Sequence, residues 1–460
     1  MRKNILYVGL ALLSIATQFV SAQELTTGYF NEGYLFRHEM NPAYANERNY
    51  VSIPALGGLN ISMRGNLGVK DVLYNRNGRT VTFMNNAVSA QEFLGNIHDK
   101  NRFGVDSRIQ LLGGGFKAFG GYNTIGLSVR QHSTVIIPGE LFRLAKEGPA
   151  NQTYDISDLK AHADAYLELA FGHSRQLTDQ LRVGGKLKVL LGGANVDATF
   201  HTAQLELAED GYKGVVDAEV QASVKGLSYI TETEMRGPDK DHPHTYVNDV
   251  DVDGPGLNGF GLALDLGAEY RLNEDWAFNA SVLDLGFIAW SNNLLASTNG
   301  LRTVNTNDYI FNVDDDATNS FDNELDNLSE GLATLYELQD MGDQGGRTRM
   351  LGATVHVGAE YTFPLYRNLT FGLMNTTRLM GSYSWTDFRL SANVAPIKVL
   401  SATASLSEGT NGLGFGWMLN VHPKGFNFFL GMDHLFGKLA KQGIPLAHQA
   451  DLSLGFNVMF

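Results

Sequence analysis

Cysteine is absent from the 460 residues, proline occurs only 11 times, and no apolar run reaches the length of a membrane-spanning helix. Each absence excludes something. Without thiols there is no disulfide framework, no thiolate metal site and no cysteine to carry a lipid after a leader. Without a run of about 18 apolar residues, the chain is either soluble or crosses a membrane as a β-barrel. Positive charge is also scarce: 35 Lys and Arg stand against 49 Asp and Glu, a formal net charge of −14. Nucleic acid, whose phosphates need a basic face, is therefore not an expected partner. What is plentiful is glycine, 51 residues outside any low-complexity tract, which points to tight turns and closely approaching strands.

The first residues read as an address. Arg2 and Lys3 precede an apolar stretch over residues 5–16, and Val20-Ser21-Ala22 offers a cleavage site before Gln23. This predicts a secretory leader over residues 1–22 and an exported protein.

Beyond it the chain alternates with period two. Leu59, Ile61 and Met63 oppose Asn60, Ser62 and Arg64; Leu181, Val183, Leu187, Val189 and Leu191 oppose Arg182, Lys186 and Lys188. Phe260, Leu262, Leu264 and Leu266 oppose Asp265, Glu269 and Arg271, and Val355, Val357 and Tyr361 oppose His356 and Glu360. Strands this long, with full charges in mid-strand, fit a barrel wall better than a sandwich. Short connections near residues 119–121, 176–180, 273–275, 364–368, 395–398 and 423–425 alternate with longer ones. The expectation is an all-β, transmembrane antiparallel barrel of about 14 strands (roughly 12–16) over residues 56–460. Its two long acidic outer loops fall at residues 201–257 and 291–347. The stretch 196–223 either extends an outer hairpin or adds two strands. Trp276 and Trp290, about 35 Å apart on one tilted strand, are expected at the two membrane interfaces.

On the polar parity stand Arg64, Arg130, Asp164, Glu168, Arg182, Lys186, Lys188, Asp265, Glu269, Arg271 and Glu360, with Arg389 and Asp433. These are the candidate lumen-lining residues. They line a solute pathway or brace the interior, for example Asp164 and Glu168 pairing with Lys186 and Lys188. The last strand ends Ser453-Leu454-Gly455-Phe456-Asn457-Val458-Met459-Phe460. Ser453, Gly455, Val458 and the terminal aromatic Phe460 resemble the recognition strand read by the outer-membrane barrel assembly machinery, making that machinery and outer-membrane lipid expected partners.

The loops carry less specific chemistry. Asp249, Asp251 and Asp253 alternate before Gly254 like half a calcium loop, but Phe260 replaces the closing glutamate, so a solvated acidic loop is the preferred reading and no metal is expected. Residues 308–343 hold 11 carboxylates and no Lys or Arg, with Phe321, Leu325, Leu328, Leu332, Leu335 and Leu338 at helical spacing. An amphipathic helix at the barrel mouth is expected. His242 and His244 flank Pro243 without a third ligand. No Gly-x-Ser-x-Gly or His-Glu-x-x-His pattern occurs, so neither a catalytic residue nor a cofactor is predicted.

Several phrases then resemble known families. Met40-Asn41-Pro42-Ala43-Tyr44, Asp284-Leu285-Gly286-Phe287-Ile288-Ala289-Trp290 and the stretch over residues 416–434 resemble an uncharacterised outer-membrane barrel family of Bacteroidota. The Asn41-Pro42-Ala43-Tyr44 phrase is also similar to the PorP/SprF family of type IX secretion, with Asn46 where that family has a nearby glycine. A count near 14 is similar to the fatty-acid-transporter barrels, whose N-terminal segment folds inside.

That last likeness implies a plug, with Asn41, Pro42 and Ala43 as its turn. Within an N-terminal segment over residues 23–55, residues 23–48 are polar and poorly periodic, so a lumen plug, a periplasmic tail and a short extra strand around residues 50–53 all remain open. Two functions follow: passive passage or binding of a small hydrophobic solute, or a non-enzymatic scaffold for surface or secretion partners.

Overall fold

The computed structural model describes residues 25–46, 48–148, 150–208, 211–235, 243–309, 321–435 and 449–460. The expected leader, His242 and part of the acidic stretch over residues 310–320 lie outside these.

Fourteen antiparallel strands close into a barrel. In chain order they are β1 (Leu59–Gly65), β2 (Lys100–Ala118), β3 (Gly121–Pro138), β4 (Lys160–Gln176), β5 (Leu181–Ala208), β6 (Gly259–Arg271) and β7 (Trp276–Trp290). They continue as β8 (Ala353–Thr362), β9 (Leu369–Leu379), β10 (Trp385–Ile397), β11 (Leu400–Gly409), β12 (Gly414–Val421), β13 (Phe426–Met432) and β14 (Ala450–Met459). Each pairs with its neighbour in sequence, and β14 returns to β1, Leu454 opposite Leu59, so the sheet has no free edge. A short strand at Tyr50–Ser52 continues the line of β1 toward the same partners, pairing with β14 at Met459 and with β2 at Gly115.

The alternation has the physical cause its period implies. Phe260, Leu262, Leu264 and Leu266 point outward and are exposed, while Gly261, Ala263 and Asp265 between them point inward and are buried. An exposed apolar belt over a polar interior is the arrangement a barrel needs in lipid. Among the described residues no helix is long and apolar enough to cross a membrane. The short turns need little chain. The β2–β3 turn is two residues, Phe119 and Gly120, both at positive φ (57° and 73°), as a tight hairpin requires.

The opposite end is built up. β5 is 28 residues long, on the order of 90 Å of strand at ~3.3 Å per residue, far more than a hydrocarbon core needs. Its second half leaves the barrel and pairs with Gly211–Val224, which in turn pairs with Leu294–Ser297 and Arg302–Asn305. The stretch 196–223 thus extends an outer hairpin. This outer sheet has its own core of Val196, Val220, Ala222, Tyr229, Val247 and Leu338. The expected amphipathic helix forms at Phe321–Thr334, and Leu328, with Leu335 just beyond it, packs on Val304 and Tyr309 of the outer layer.

One interface expectation fails. Trp276 is 41% exposed on the outer face, but Trp290 is 3% exposed and packs inside with Tyr166, Leu190 and Ile288. The cause is a bulge: Leu264 faces Leu285 but Leu266 faces Val282, so β7 carries one extra residue near Asp284, whose φ is 59°. An extra residue exchanges the faces of everything after it.

Candidate functional site

The wall residues share the lumen, and two things fill it among the described residues. The first is a lattice of charge at mid-height. Lys188 on β5 lies 2.6 Å from Asp284, 2.8 Å from Asp265 and 3.6 Å from Glu168. Arg130 on β3 reaches Glu168 at 3.1 Å and Asp284 at 3.5 Å. Arg108 on β2 reaches Glu39 at 3.0 Å and Glu168 at 3.7 Å, and Lys186 reaches Glu39 at 2.6 Å. Four cations thus meet four carboxylates, all well shielded from solvent, where each ion requires a partner.

The expected pairing is half right. Glu168 does meet Lys188, because it lies one pleat along from Ala170, the residue opposite Lys188. Asp164 does not meet a lysine: it sits opposite Asn195, well up the strand, and bonds His162 at 3.1 Å. His162 also bonds Asp197 at 2.7 Å, and Asp197 pairs with Arg347 and Arg349. Next along the same face, His132 bonds Asp106. Histidine and aspartate therefore alternate across β2 to β5 above the lattice.

The second filling is the chain itself. Residues 25–46 lie inside the barrel, where Leu25, Tyr29, Phe30, Tyr34, Phe36, Met40 and Tyr44 pack against Met374, Met418, Phe429 and Met459 of the wall. The segment is tied by polar contacts as well. Asp433 accepts from the backbone N–H of Thr26 at 2.9 Å and of Thr27 at 2.5 Å, and lies 3.5 Å from Arg389. Asn41 donates to the carbonyl of Ala268 at 3.2 Å and accepts from the N–H of Ala43 at 3.0 Å, the side-chain turn its type favours. Serine and asparagine of β11 and β12 bind Asn31 and Gly33 in the same way. The wall is cut to fit: a Cβ at Gly184 would stand 2.0 Å from the Pro42 carbonyl oxygen, and one at Gly372 2.1 Å from the Phe30 ring.

The remaining sequence candidates are dispersed. Arg64 is buried beneath the Trp385 ring at 4.7 Å and 3.9 Å from Asp433. Glu269 and Arg271 pair at 3.2 Å toward the short-turn rim, where Arg182 bonds Gln176 at 2.9 Å, and Glu360 is buried near by. Ser453 and Gly455 face inward on β14, while Val458 and Phe460 face outward; the N–H of Phe460 donates to the Asn49 carbonyl at 3.0 Å. Asp249 and Asp251 lie on an extended strand, His244–Val252, rather than in a loop that could wrap a cation. Among the described residues no group of three or more His, Asp or Glu is placed to hold a metal ion. Sequence reading missed Arg108, Asp284 and Glu39. Arg108 shares the parity of Asp106 and Gln110 and was legible; Asp284 needed the bulge, and Glu39 needed the fold.

A family pattern matches residues 42–433, which include most of the wall and every lattice residue but Glu39. The chain belongs to DUF5723, a family of unknown function. No curated protein sequence matches it. Among solved structures it is similar to the toluene transporter TbuX of Ralstonia pickettii, with 10% identity, 92% of each chain covered and a TM-score of 0.42. It is similar also to the P. putida toluene transporter TodX (10% identity, 96% of this chain and 94% of that one, TM-score 0.39). A Pseudomonas aeruginosa FadL homologue matches at 9% identity, 96% of this chain and 99% of that one, with a TM-score of 0.38.

Proposed function

We propose that this DUF5723 member is an outer-membrane barrel, exported by a cleaved leader and inserted by the barrel assembly machinery, that binds or passes a small hydrophobic solute. The observation that carries the reading is the apolar interface packed between residues 25–46 and the wall. Toward the outer loops the interior is filled by the wall's own polar side chains. Toward the short turns, Met374, Met418, Phe429 and Met459 instead meet rings that belong to a separate piece of chain. Withdrawal of that piece leaves a chamber of adaptable methionine and aromatic surface, suited to an apolar guest. Residues 25–46 act as its closure.

A second reading has one observation in its favour. The outer sheet on β5 is a folded layer beyond the barrel, more than a pore requires, and would suit a scaffold for a surface or type IX secretion partner. Native mass spectrometry of the protein extracted from its own membrane separates the two. A stoichiometric apolar ligand, lost when residues 23–50 are deleted, supports passage. An empty barrel with a bound protein that is lost when residues 308–343 are trimmed supports the scaffold instead.

A further inference from the structure

The mid-lumen lattice balances only with the help of the closure. The wall supplies four cations, Arg108, Arg130, Lys186 and Lys188, but three carboxylates, Glu168, Asp265 and Asp284. The fourth carboxylate is Glu39, from the segment. Its Oε2 lies 2.6 Å from Lys186 Nζ and 3.0 Å from Arg108 Nη2. This is the one ion pair Lys186 makes among the described residues, and the next carboxylate to Arg108 is Glu168 at 3.7 Å.

We propose that Arg108 and Lys186 form a carboxylate receptor which Glu39 fills in the closed state, and that an organic carboxylate entering the lumen replaces Glu39 and releases residues 25–46. The proposal rests on reading that segment as a closure. Its physical basis is that loss of Glu39 takes from Lys186 the one carboxylate it pairs with among the described residues and from Arg108 its nearer one: breaking a buried pair from one side is strongly unfavourable, whereas exchanging one carboxylate for another is not. A neutral solute offers no such exchange. Apolar surface stands beside the charge: Arg108 shares a water-sized cavity of about 20 Å³ with Tyr34, Phe36 and Phe429, and only departure of the segment's two rings widens it for the body of an incoming anion.

The absence of cysteine makes a direct test possible. Ala43, fully buried in the segment, is replaced by cysteine in the full-length protein in lipid nanodiscs, and its maleimide labelling rate is measured. Benzoate is expected to raise the rate about tenfold or more, and benzyl alcohol to leave it unchanged. Adding Glu39→Gln should give fast labelling without benzoate, and Lys186→Gln should abolish the benzoate response. Equal rates with benzoate and benzyl alcohol, or a Glu39→Gln rate equal to that of the parent, would overturn the proposal. Asn46→Cys repeats the measurement if Ala43→Cys disturbs folding. The labelling reads the exchange itself, so loss of the hydrophobic-solute reading by mass spectrometry is a separate result.

Discussion

Lys188 Nζ donates to Asp284 at 2.6 Å, across a contact that exists only because one extra residue in β7 turns Asp284 inward at a φ of 59°. In the same bulge the Asp284 N–H donates to Asp265 at 2.7 Å, so one backbone irregularity brings two carboxylates to one lysine. Lys188→Met leaves Glu168, Asp265 and Asp284 with Arg130 and Arg108 alone. A loss of about 3–5 kcal/mol is expected, read from urea unfolding in detergent micelles.

The same bulge decides which tryptophan meets lipid. In single-tryptophan variants, brominated lipid should quench Trp276 fluorescence strongly and Trp290 hardly at all. Equal quenching would mean that β7 keeps one parity throughout.

Gly184 leaves room for the Pro42 carbonyl, a backbone group that cannot swing away. Gly184→Val is expected to leave the barrel folded, with its heat-modifiable mobility on gels intact, but to unseat residues 25–46. Trypsin should then cut after Arg37, which is buried in the parent.

Acid should loosen the segment. Burial pushes His38 down to about 3 from an ordinary 6.5, against the pull of Glu39, while Lys186 and Arg108 push the same way as burial. Burial also opposes ionisation of Glu39, but Arg108 and Lys186 outweigh it and hold that carboxyl well below 4.5. His38 is therefore neutral when docked, with Nε2 placed 2.7 Å from the Tyr50 hydroxyl. A group with a depressed docked pKa contributes fully above the free value of 6.5 and loses that contribution as pH falls from there toward 3. Maleimide labelling of the Ala43→Cys protein, taken as a ratio to that of a fully exposed cysteine at the same pH so that the loss of thiolate cancels, should rise about tenfold or more between pH 7.5 and pH 5, and His38→Asn should flatten the profile.

Removal of Phe460 tests the proposal that the last strand carries an assembly signal. It should lower the yield of folded barrel in cells several-fold while refolding in detergent proceeds, since the side chain points outward and only its N–H is bonded, to Asn49. Equal loss in both settings would assign Phe460 to stability instead.

The wall was legible in the sequence because period-two alternation is local: Leu262 and Asp265 announce their faces without reference to any other strand. The short turns and the strand count follow from that same local pattern, as does the inward placement of Lys186, Lys188, Asp265 and Glu360. Pairing was not legible, because it depends on register, and register is set by bulges. Asp164 stands opposite Asn195, well along β5 from both lysines, and the shift at Asp284 takes Trp290 off the lipid face. Glu39 carried no signal of its own in a polar, aperiodic stretch. The amino-acid sequence by itself determined that this chain is a barrel with a charged interior, since hydrophobic patterning acts residue by residue. Only the tertiary structure decided which charges meet and that residues 25–46 complete them, because contacts between Glu39 and Lys186 exist only once the barrel has closed.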